Sequence, residues 1–202
     1  MKLPRPVLAA LLVAGTACAL VASALAATAA ARPGPTRAAS AVAVAHSRFI
    51  AGLAAAAQAT ARRYHVPASV TLAQAILESG WGASGLSTAD RNYFGIKCLN
   101  GVRGPIAVAC HTHPTTECGG GRCWPTAASF RVYRTVADSI VDHGRFLVVN
   151  PRYTRAFAYR DHPDQFAAAL QRCQYATSPT YARSLQALMR QYHLYRYDIR
   201  IP

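Results

Sequence analysis

Apolar residues recur every three or four positions in several stretches of the chain, and this is the period of an amphipathic α-helix. The pattern predicts a first helix over roughly 47–63 and a second that carries Val70 and Leu77 and ends at Gly80, since glycine is common just after a helix. Three further helices are predicted from "TVADSIVDHGRFLVV", "HPDQFAAALQRC" and "SPTYARSLQALMRQYHL". The first of these three opens with Thr135 and Asp138, which have the spacing of a capping box.

Residues 98–134 have a different pattern. "PIAVAC" and "SFRVYR" are short β-branched or alternating runs, which are typical of strands. Glycine, proline, threonine and cysteine fill the space between them. We therefore predict a small β-hairpin lobe with a long, irregular tip. With the helices, this predicts an α+β fold that is mostly helical.

The N-terminal residues are not predicted to join the folded core. Residues 1–31 carry Lys2 and Arg5, then an apolar run and several small residues, which is the pattern of a secretory signal peptide. An uncleaved membrane anchor is the alternative. Residues 32–46 mix proline, glycine, serine and alanine without an amphipathic stripe and are predicted to be a flexible linker. One domain, 47–202, remains.

The chain is strongly basic, and this limits its partners. It has 22 Lys and Arg against 8 Asp and Glu, a formal net charge of +14. Such a protein is attracted to polyanions. The basic residues are scattered and form no dense tract, so we expect anionic cell-wall polymers and no nucleic acid as partners. We also expect a monomer.

Four of the six cysteines cluster in the predicted hairpin lobe. In an exported protein such cysteines usually form disulfides. Three pairings are possible, and we favour Cys98–Cys110 with Cys118–Cys123, because each closes a short loop. Cys173 is predicted to be an unpaired helix residue that faces the core.

Zinc is the alternative for this cysteine cluster, since His111 and His113 lie among the thiols. "CHTHPTTEC" does not have a standard zinc-ligand spacing, however, and export favours oxidation. We therefore predict no metal site and treat His111, His113 and His143 as surface or core histidines.

Glutamate is rare in this chain, and its two occurrences are Glu78 and Glu117. Glu78 lies in the last turn of its predicted helix, where the helix dipole disfavours an ionised carboxylate. Burial beside Ile76, Leu77 and Trp81 would also raise its pKa. A glutamic acid that keeps its proton near neutral pH is suited to donate that proton in glycoside cleavage. The alternative is a structural glutamate bound to the backbone or to an arginine.

The segment "VPASVTLAQAILESGWGASGLSTADRNYFGIK" resembles the glucosaminidase family of peptidoglycan hydrolases. The similarity continues through "SFRVYR", "DHGRFL", "NPRY" and "YATSPTYARSL", so it covers roughly 47–198. The resemblance implies a lysozyme-like fold and a catalytic domain over 47–202. It also implies hydrolysis of the β-1,4 bond on the reducing side of N-acetylglucosamine in peptidoglycan, without a metal or organic cofactor.

The resemblance also implies roles for individual residues. Glu78 of "ESGWG" matches the family's general acid, and Glu117 of "PTTEC" matches a second carboxylate in the β-lobe. Tyr175 of "YATSP" matches a tyrosine that lines the cleft, and Asn92 and Phe94 of "RNYFGIK" resemble the floor of the sugar-binding groove. Glycines beside Glu117 suggest mobility, so the two carboxylates are expected to lie apart until substrate closes the lobe.

Other functions remain open at this point. A muramidase or lytic transglycosylase on a lysozyme-like fold would cut the other glycosidic bond. A non-catalytic wall-binding protein would keep the groove and the positive charge. Inversion and retention of configuration are both compatible with the sequence, and the expected location is secreted or at the cell wall.

Overall fold

The computed structural model describes residues 37–119 and 122–199, with the side chains of 38–116 and 122–199. The predicted signal segment, 1–31, and the first residues of the predicted linker lie outside the described residues, so these assignments stay predictions.

A buried helix, α2 (Ala68–Ser79), lies at the centre of the described fold. Ten of its twelve residues are buried. Around it are four longer or amphipathic helices: α1 (Arg37–Tyr64), α4 (Val136–Val149), α5 (Pro163–Arg172) and α6 (Tyr181–Gln191). A helix with almost no solvent face needs apolar or small side chains on every side, and this explains the sequence of α2.

All five predicted helices are present, and the capping box is confirmed. The Thr135 hydroxyl accepts the Asp138 N–H at 3.1 Å, and the Asp138 carboxylate accepts the Thr135 N–H at 3.0 Å. Three short elements were not predicted: α3 (Gly85–Asp90) and two 3₁₀ helices, Pro151–Tyr159 and Leu194–Tyr197. Short helices of this kind lack enough turns to show a clear hydrophobic period.

The first helix begins well before its predicted start, which corrects part of the predicted linker. Residues 37–46 are helical and belong to α1. Alanine dominates this stretch and is the strongest helix former. His46 adds a tertiary contact, since its ring stacks on Trp81 with centroids 3.6 Å apart and its Nδ1 lies 3.0 Å from the Tyr192 hydroxyl.

Ala38–Tyr64 is the one helix among the described residues that is long and apolar enough to cross a membrane. Its second half carries the buried residues Ile50, Leu53, Ala57 and Ala61, which belong to the hydrophobic core. This half of α1 is therefore part of the globular domain.

The last described residues close the fold around the start of α2. The Asp198 carboxylate accepts the Ser69 N–H at 2.8 Å, and the Gln58 amide donates to the Tyr197 carbonyl at 3.1 Å. The first N–H groups of a helix have no partner within the helix. Asp198 satisfies one of them from a position distant in sequence.

The hairpin is longer and more regular than predicted. Strands β1 (Ala109–Gly119) and β2 (Arg122–Val132) pair antiparallel along their whole length. Residues 105–108 of the predicted strand lie before β1, and the predicted irregular tip is wrong. Pro114 and Pro125 are accommodated because each strand of a two-stranded sheet has a free edge.

One disulfide prediction is confirmed. Cys98 and Cys110 are bonded, with their Cα atoms 6.2 Å apart. Cys123 is also disulfide-bonded. Its partner in the strand register is Cys118, whose side chain lies outside the described ones. Cys173 is a free, half-buried thiol that packs against the core, as predicted, but it lies at the C-terminal cap of α5 and not within the helix.

A buried ion pair joins the hairpin to α4. The Arg131 guanidinium donates to the Asp142 carboxylate at 2.7 Å, and the Tyr133 hydroxyl donates to the same oxygen at 2.8 Å. Removing one member of such a pair leaves a buried charge without its partner, which typically costs about 3–5 kcal/mol. The base of the lobe is therefore rigidly attached.

Gly144 of α4 packs closely against side chains of α1. A Cβ atom at this position would lie 2.3 Å from Thr60 Cγ2 and 2.9 Å from Tyr64 Cδ2. We expect Gly144→Ala to lower the free energy of unfolding by about 1–3 kcal/mol, because the added methyl group overpacks the contact. Urea denaturation measures this change.

Gly52 of α1 provides a matched control, since a Cβ atom there would have nothing within 4 Å. Gly52→Ala should raise the free energy of unfolding by about 0.5–1 kcal/mol through its helix propensity. Equal stability changes in the two variants would contradict close packing at Gly144.

Candidate active site

Two pockets share Glu78 and Gly95 as lining residues, and we call them together the Glu78 cleft. One has a volume of about 360 Å³ and the other of about 390 Å³. The first has an aromatic wall of Phe94, Phe146, Tyr153 and Tyr175, and the second is lined by Ser84, Asn92, His113 and Pro114, among others. A larger pocket of about 520 Å³ is lined by other residues and contains none of the predicted site residues.

A tight turn fixes the end of α2 directly after Glu78. Gly80, Trp81 and Gly82 have φ values of 55°, 62° and 79°, a left-handed conformation in which glycine is favoured. The Ser79 hydroxyl accepts the Gly82 N–H at 2.8 Å. This explains the sequence "ESGWG": serine and the two glycines build the turn that holds the glutamate in place.

The prediction that Trp81 helps to bury Glu78 finds no support in the lining of the Glu78 cleft. Trp81 stacks on His46 and makes an edge contact with Tyr192, and it does not line the Glu78 cleft. Leu77 is 41% exposed. The left-handed turn explains the difference, because it directs the chain away from the helix axis immediately after Glu78.

The environment of Glu78 nevertheless favours its protonated form, as predicted. Burial raises the pKa of Glu78 above its ordinary value of 4.5, while a hydrogen bond from Tyr181 partly opposes this effect. The Tyr181 hydroxyl donates to Glu78 Oε1 at 2.8 Å and accepts from the Gln74 amide at 2.8 Å. By accessible surface Glu78 is nevertheless an exposed residue: the protein atoms around the carboxyl group raise its pKa, while the side chain stays open to solvent and a substrate can reach it.

Tyrosine rings form the wall behind Glu78. Tyr175 stacks on Tyr181 with centroids 5.6 Å apart and contacts Tyr153 at 5.8 Å. Burial raises the pKa of Tyr175 well above 10, and the negative charge of Glu78 adds to this. Burial also raises the pKa of Tyr181. Both hydroxyl groups therefore remain protonated donors beside the carboxyl group, and Tyr175 lines the cleft as expected.

Asn92 and Phe94 form part of the cleft wall in different ways. The Asn92 amide donates to the carbonyls of Ile96 and Arg131, both at 2.9 Å, and its oxygen accepts the Ile96 N–H at 3.1 Å. Asn92 thus shapes the groove by holding the backbone. The Phe94 ring stacks on His143 with centroids 3.9 Å apart and offers an apolar surface.

The three histidines of the prediction have three environments. His143 is fully buried, and burial lowers its pKa to about 3, so it is a neutral core residue. His111 is exposed and His113 is half-buried. His111 Nδ1 lies 2.7 Å from Asp90 Oδ1, and His113 Nε2 lies 2.5 Å from Asp90 Oδ2.

The zinc alternative that used the cysteine thiols is not supported. Cys98 and Cys110 are joined in a disulfide, and Cys123 is disulfide-bonded as well. The histidines approach Asp90, which sequence reasoning had not singled out.

The role of Glu117 as a second carboxylate stays a prediction. Its backbone belongs to β1 and pairs with Trp124, while its side chain lies outside the described ones. His113 and Pro114 of the same strand line the Glu78 cleft. At about 3.3 Å per residue, position 117 lies roughly 13 Å beyond His113 along the strand.

Gln74 and Tyr181 were missed as site residues. Gln74 had a sequence signal, because it is a polar residue in an apolar helix and lies one turn before Glu78 on the same face. Tyr181 had no local signal, since its contact with Glu78 depends on how α6 packs against α2.

The chain is similar in sequence to a known family and to several known proteins. A model of the Glucosaminidase family, described as mannosyl-glycoprotein endo-beta-N-acetylglucosaminidase, matches residues 54–194. The peptidoglycan hydrolase FlgJ of Pseudomonas aeruginosa is 39% identical over 152 residues, which cover 73% of this chain and 37% of that protein. A protein of Lactococcus lactis subsp. cremoris named probable N-acetylmuramidase is 34% identical over 155 residues, which cover 74% of this chain and 34% of that protein.

Among solved structures, the catalytic domain of the autolysin Auto from Listeria monocytogenes is similar. The TM-score is 0.65 at 30% sequence identity, and the match covers 85% of this chain and 93% of that domain. The predicted lysozyme-like α+β fold is confirmed. The chain spans little more than a third of the two curated relatives.

The hydrogen bond between Tyr181 and Glu78 can be tested without an activity assay. It lowers the pKa of Glu78, so Tyr181→Phe should raise that pKa further. Glutamate labelled with ¹³C at the carboxyl carbon gives two side-chain signals, because the chain has two glutamates. A pH titration by NMR follows both, and Glu117→Gln assigns them.

Tyr195→Phe is the matched control for this titration. The Tyr195 hydroxyl also donates to a carboxylate, Asp164, at 2.6 Å, but it lines another pocket. The Tyr195→Phe variant should leave the pKa of Glu78 unchanged. An unchanged or lowered Glu78 pKa in Tyr181→Phe would contradict the role given to Tyr181.

Proposed function

The chain belongs to the Glucosaminidase family, and on this premise we propose that it is a peptidoglycan hydrolase with Glu78 as general acid. The proposed reaction is hydrolysis of the β-1,4 bond on the reducing side of N-acetylglucosamine. The observation that carries the proposal is the placement of Glu78, whose pKa is raised by burial, in the wall of a cleft with aromatic lining.

The hydrogen bonds of Glu78 suggest which oxygen carries the proton. Gln74 donates its amide N–H to the Tyr181 hydroxyl, and that hydroxyl donates its own proton to Glu78 Oε1. Oε1 is therefore an acceptor, and the acidic proton belongs on Oε2. Glu78 then donates this proton to the glycosidic oxygen as the bond from that oxygen to the sugar C1 breaks. General acid catalysis of this kind typically contributes about 10²–10⁴-fold.

The aromatic wall supports a sugar substrate. Phe94, Phe146, Tyr153 and Tyr175 give the cleft broad apolar faces beside a few polar groups, an arrangement typical of ligand pockets. Lys97 and Arg152 line the same pocket. Their positive charges are suited to the carboxylates of the peptide stems in a bacterial wall.

Glu117 is proposed as the second carboxylate. In one route it accepts a proton from water as the water oxygen bonds to C1, which inverts the configuration. In the other it supports attack on C1 by the substrate's own acetamido oxygen, which leads to retention. Carboxylates about 6.5–9.5 Å apart are typical of inverting enzymes. Position 117 lies roughly 13 Å beyond His113 along β1, so in either route the outer part of the hairpin would bend toward the substrate while its base stays attached through Arg131.

The surroundings of the reaction follow from charge. The net charge of +14 favours adsorption to the anionic polymers of a cell wall. We propose a secreted or wall-associated monomer with peptidoglycan glycan strands as substrate, no nucleic-acid partner and no organic cofactor.

A muramidase is the second candidate function, because one relative is named a probable N-acetylmuramidase. The two activities differ in the glycosidic bond that is cut, and Glu78 could act as the general acid in both. A non-catalytic wall-binding protein is a weaker candidate, since binding alone does not need a glutamic acid with a raised pKa.

Replacement of the acid tests the proposal directly. Glu78→Gln should reduce the rate of lysis of purified cell walls by at least about 10²-fold, because glutamine cannot donate the proton. Folding should persist, since the glutamine oxygen can still accept the Tyr181 hydrogen bond. Turbidity loss measures the rate, and thermal denaturation checks the fold.

Asp161→Asn, at an exposed carboxylate outside the cleft, is the control and should lyse walls at the wild-type rate. Glu117→Gln in the same assay should also lower the rate. Full activity of Glu78→Gln would refute its assignment as general acid, and full activity of Glu117→Gln would remove Glu117 from the mechanism.

The bond that is cut can be identified from the products. Mass spectrometry of borohydride-reduced digests should find new reducing ends at N-acetylglucosamine. Reducing ends at N-acetylmuramic acid would instead establish the muramidase, and anhydro-muramic ends a lytic transglycosylase. If the wild-type protein released no product from purified cell walls, wall binding would remain as the function.

A further inference from the structure

Asp90, His111 and His113 form a cluster that the proposed reaction does not use. Their potential ligand atoms all lie within 4.8 Å of one another. Asp90 is fully buried, and its two carboxylate oxygens each face one imidazole nitrogen, at 2.7 Å and 2.5 Å. We call these three residues the Asp90 cluster.

Two different elements bring the cluster together. His111 and His113 are two residues apart on β1, so their side chains leave the strand on the same face. Asp90 is the last residue of α3, and the next residue, Arg91, adopts a left-handed conformation with φ 54°. The Asp90 carbonyl accepts the Tyr133 N–H at 3.0 Å, which attaches the end of α3 to the residue after β2. The backbone of all three residues is therefore fixed.

The position of Asp90 raises a question of charge. A buried carboxylate is costly unless a positive charge or strong hydrogen bonds compensate it. Arginine fills this role for the buried Asp142. The ion-pair partners of Asp90 among the described side chains are the two imidazoles, which carry a full charge only when protonated. A divalent cation between the three groups would compensate Asp90 with the histidines neutral.

We propose that the Asp90 cluster is a site for a divalent transition-metal ion, with zinc as the fitting ion. Two imidazole nitrogens and one carboxylate oxygen are a typical ligand set for Zn²⁺, with bonds of about 2.0–2.2 Å. His111 supplies Nδ1, His113 supplies Nε2 and Asp90 supplies a carboxylate oxygen. A fourth position is left for water.

The required movement is small. Ligand atoms around a tetrahedral zinc ion lie about 3.3 Å apart, given bonds near 2.0 Å. The nitrogen-to-oxygen distances of 2.7 Å and 2.5 Å must therefore open by less than about 1 Å, and ligand atoms as far apart as 4.8 Å must close by about 1.5 Å. The exposed His111 side chain and the half-buried His113 side chain have room to rotate, while Asp90 stays in place.

The ion would act on the hairpin lobe and not on the proton transfer at Glu78. It would bind β1 to α3, at the strand residue that lines the Glu78 cleft, and position 117 lies further along the same strand. The base of the lobe would then hold one orientation over the cleft. The proposal concerns binding by the folded chain and does not depend on the proposed enzymatic activity.

Isothermal titration with zinc chloride tests the site. The protein carries no polyhistidine tag, is freed of metal with EDTA and then desalted, and contains Cys173→Ser so that the free thiol cannot bind the ion. We expect saturable binding of one zinc ion per chain. His111→Gln and His113→Gln should each weaken this binding by at least about tenfold.

His162→Gln is the matched control, since His162 is an exposed histidine outside the cluster. It should bind zinc as the parent protein does. Hydrogen exchange gives a second measurement: zinc should slow exchange of the β1 and β2 amides in the parent protein and not in His111→Gln. Because the His111 side chain is 56% exposed, its replacement should leave the fold intact, and thermal denaturation checks this.

Lack of saturable zinc binding by the parent protein would overturn the proposal. So would equal zinc affinity in the parent, His111→Gln and His113→Gln, since the ion would then bind elsewhere. In either case the histidines serve as hydrogen-bond donors that hold the hairpin to Asp90.

Discussion

The hydrogen bond from Tyr181 to Glu78 connects α6 to the carboxyl group in the last turn of the central helix, α2. Glu78 stands at the end of a helix with almost no solvent face, so its backbone has little freedom. Burial alone would drive its carboxyl group toward the neutral form, and the Tyr181 hydroxyl moderates that shift while fixing one oxygen. The result is an acid that keeps its proton more readily than a fully solvated glutamate and yet can release it. Both effects require α6 to be packed on α2.

Aromatic contacts stabilise the sharp turn that follows α2. Three successive left-handed residues follow Glu78, one of them a tryptophan, for which this conformation is unfavourable. Stacking of Trp81 on His46 and its edge contacts with Phe49 and Tyr192 compensate. His46, near the start of α1, therefore supports the turn after Glu78 from outside the cleft.

Sequence reasoning predicted what depends on local patterns. The five longer helices follow from hydrophobic period and capping residues, and the rarity of glutamate drew attention to position 78. Prediction from sequence failed where the role of a residue depends on partners that are remote in the chain. Trp81 is three positions from Glu78 in the chain but stacks on His46. Tyr181 is remote in the chain but donates a hydrogen bond to Glu78, and Asp90 meets two histidines from another element. Hairpin length was misjudged because prolines in the run suggested an irregular tip, although a two-stranded sheet has edges that accept them.

Asp198 and Tyr181 each form a hydrogen bond with one end of α2. One binds the first turn of the helix and the other binds the carboxylate in its last turn, and each lies more than 100 residues beyond its partner in the chain. Without them, the Ser69 N–H loses its carboxylate partner and Glu78 Oε1 loses its tyrosine donor. We therefore expect α2 to form stably only once the polypeptide that follows it has folded back, which makes this short helix a product of cooperative assembly and not a self-standing nucleus.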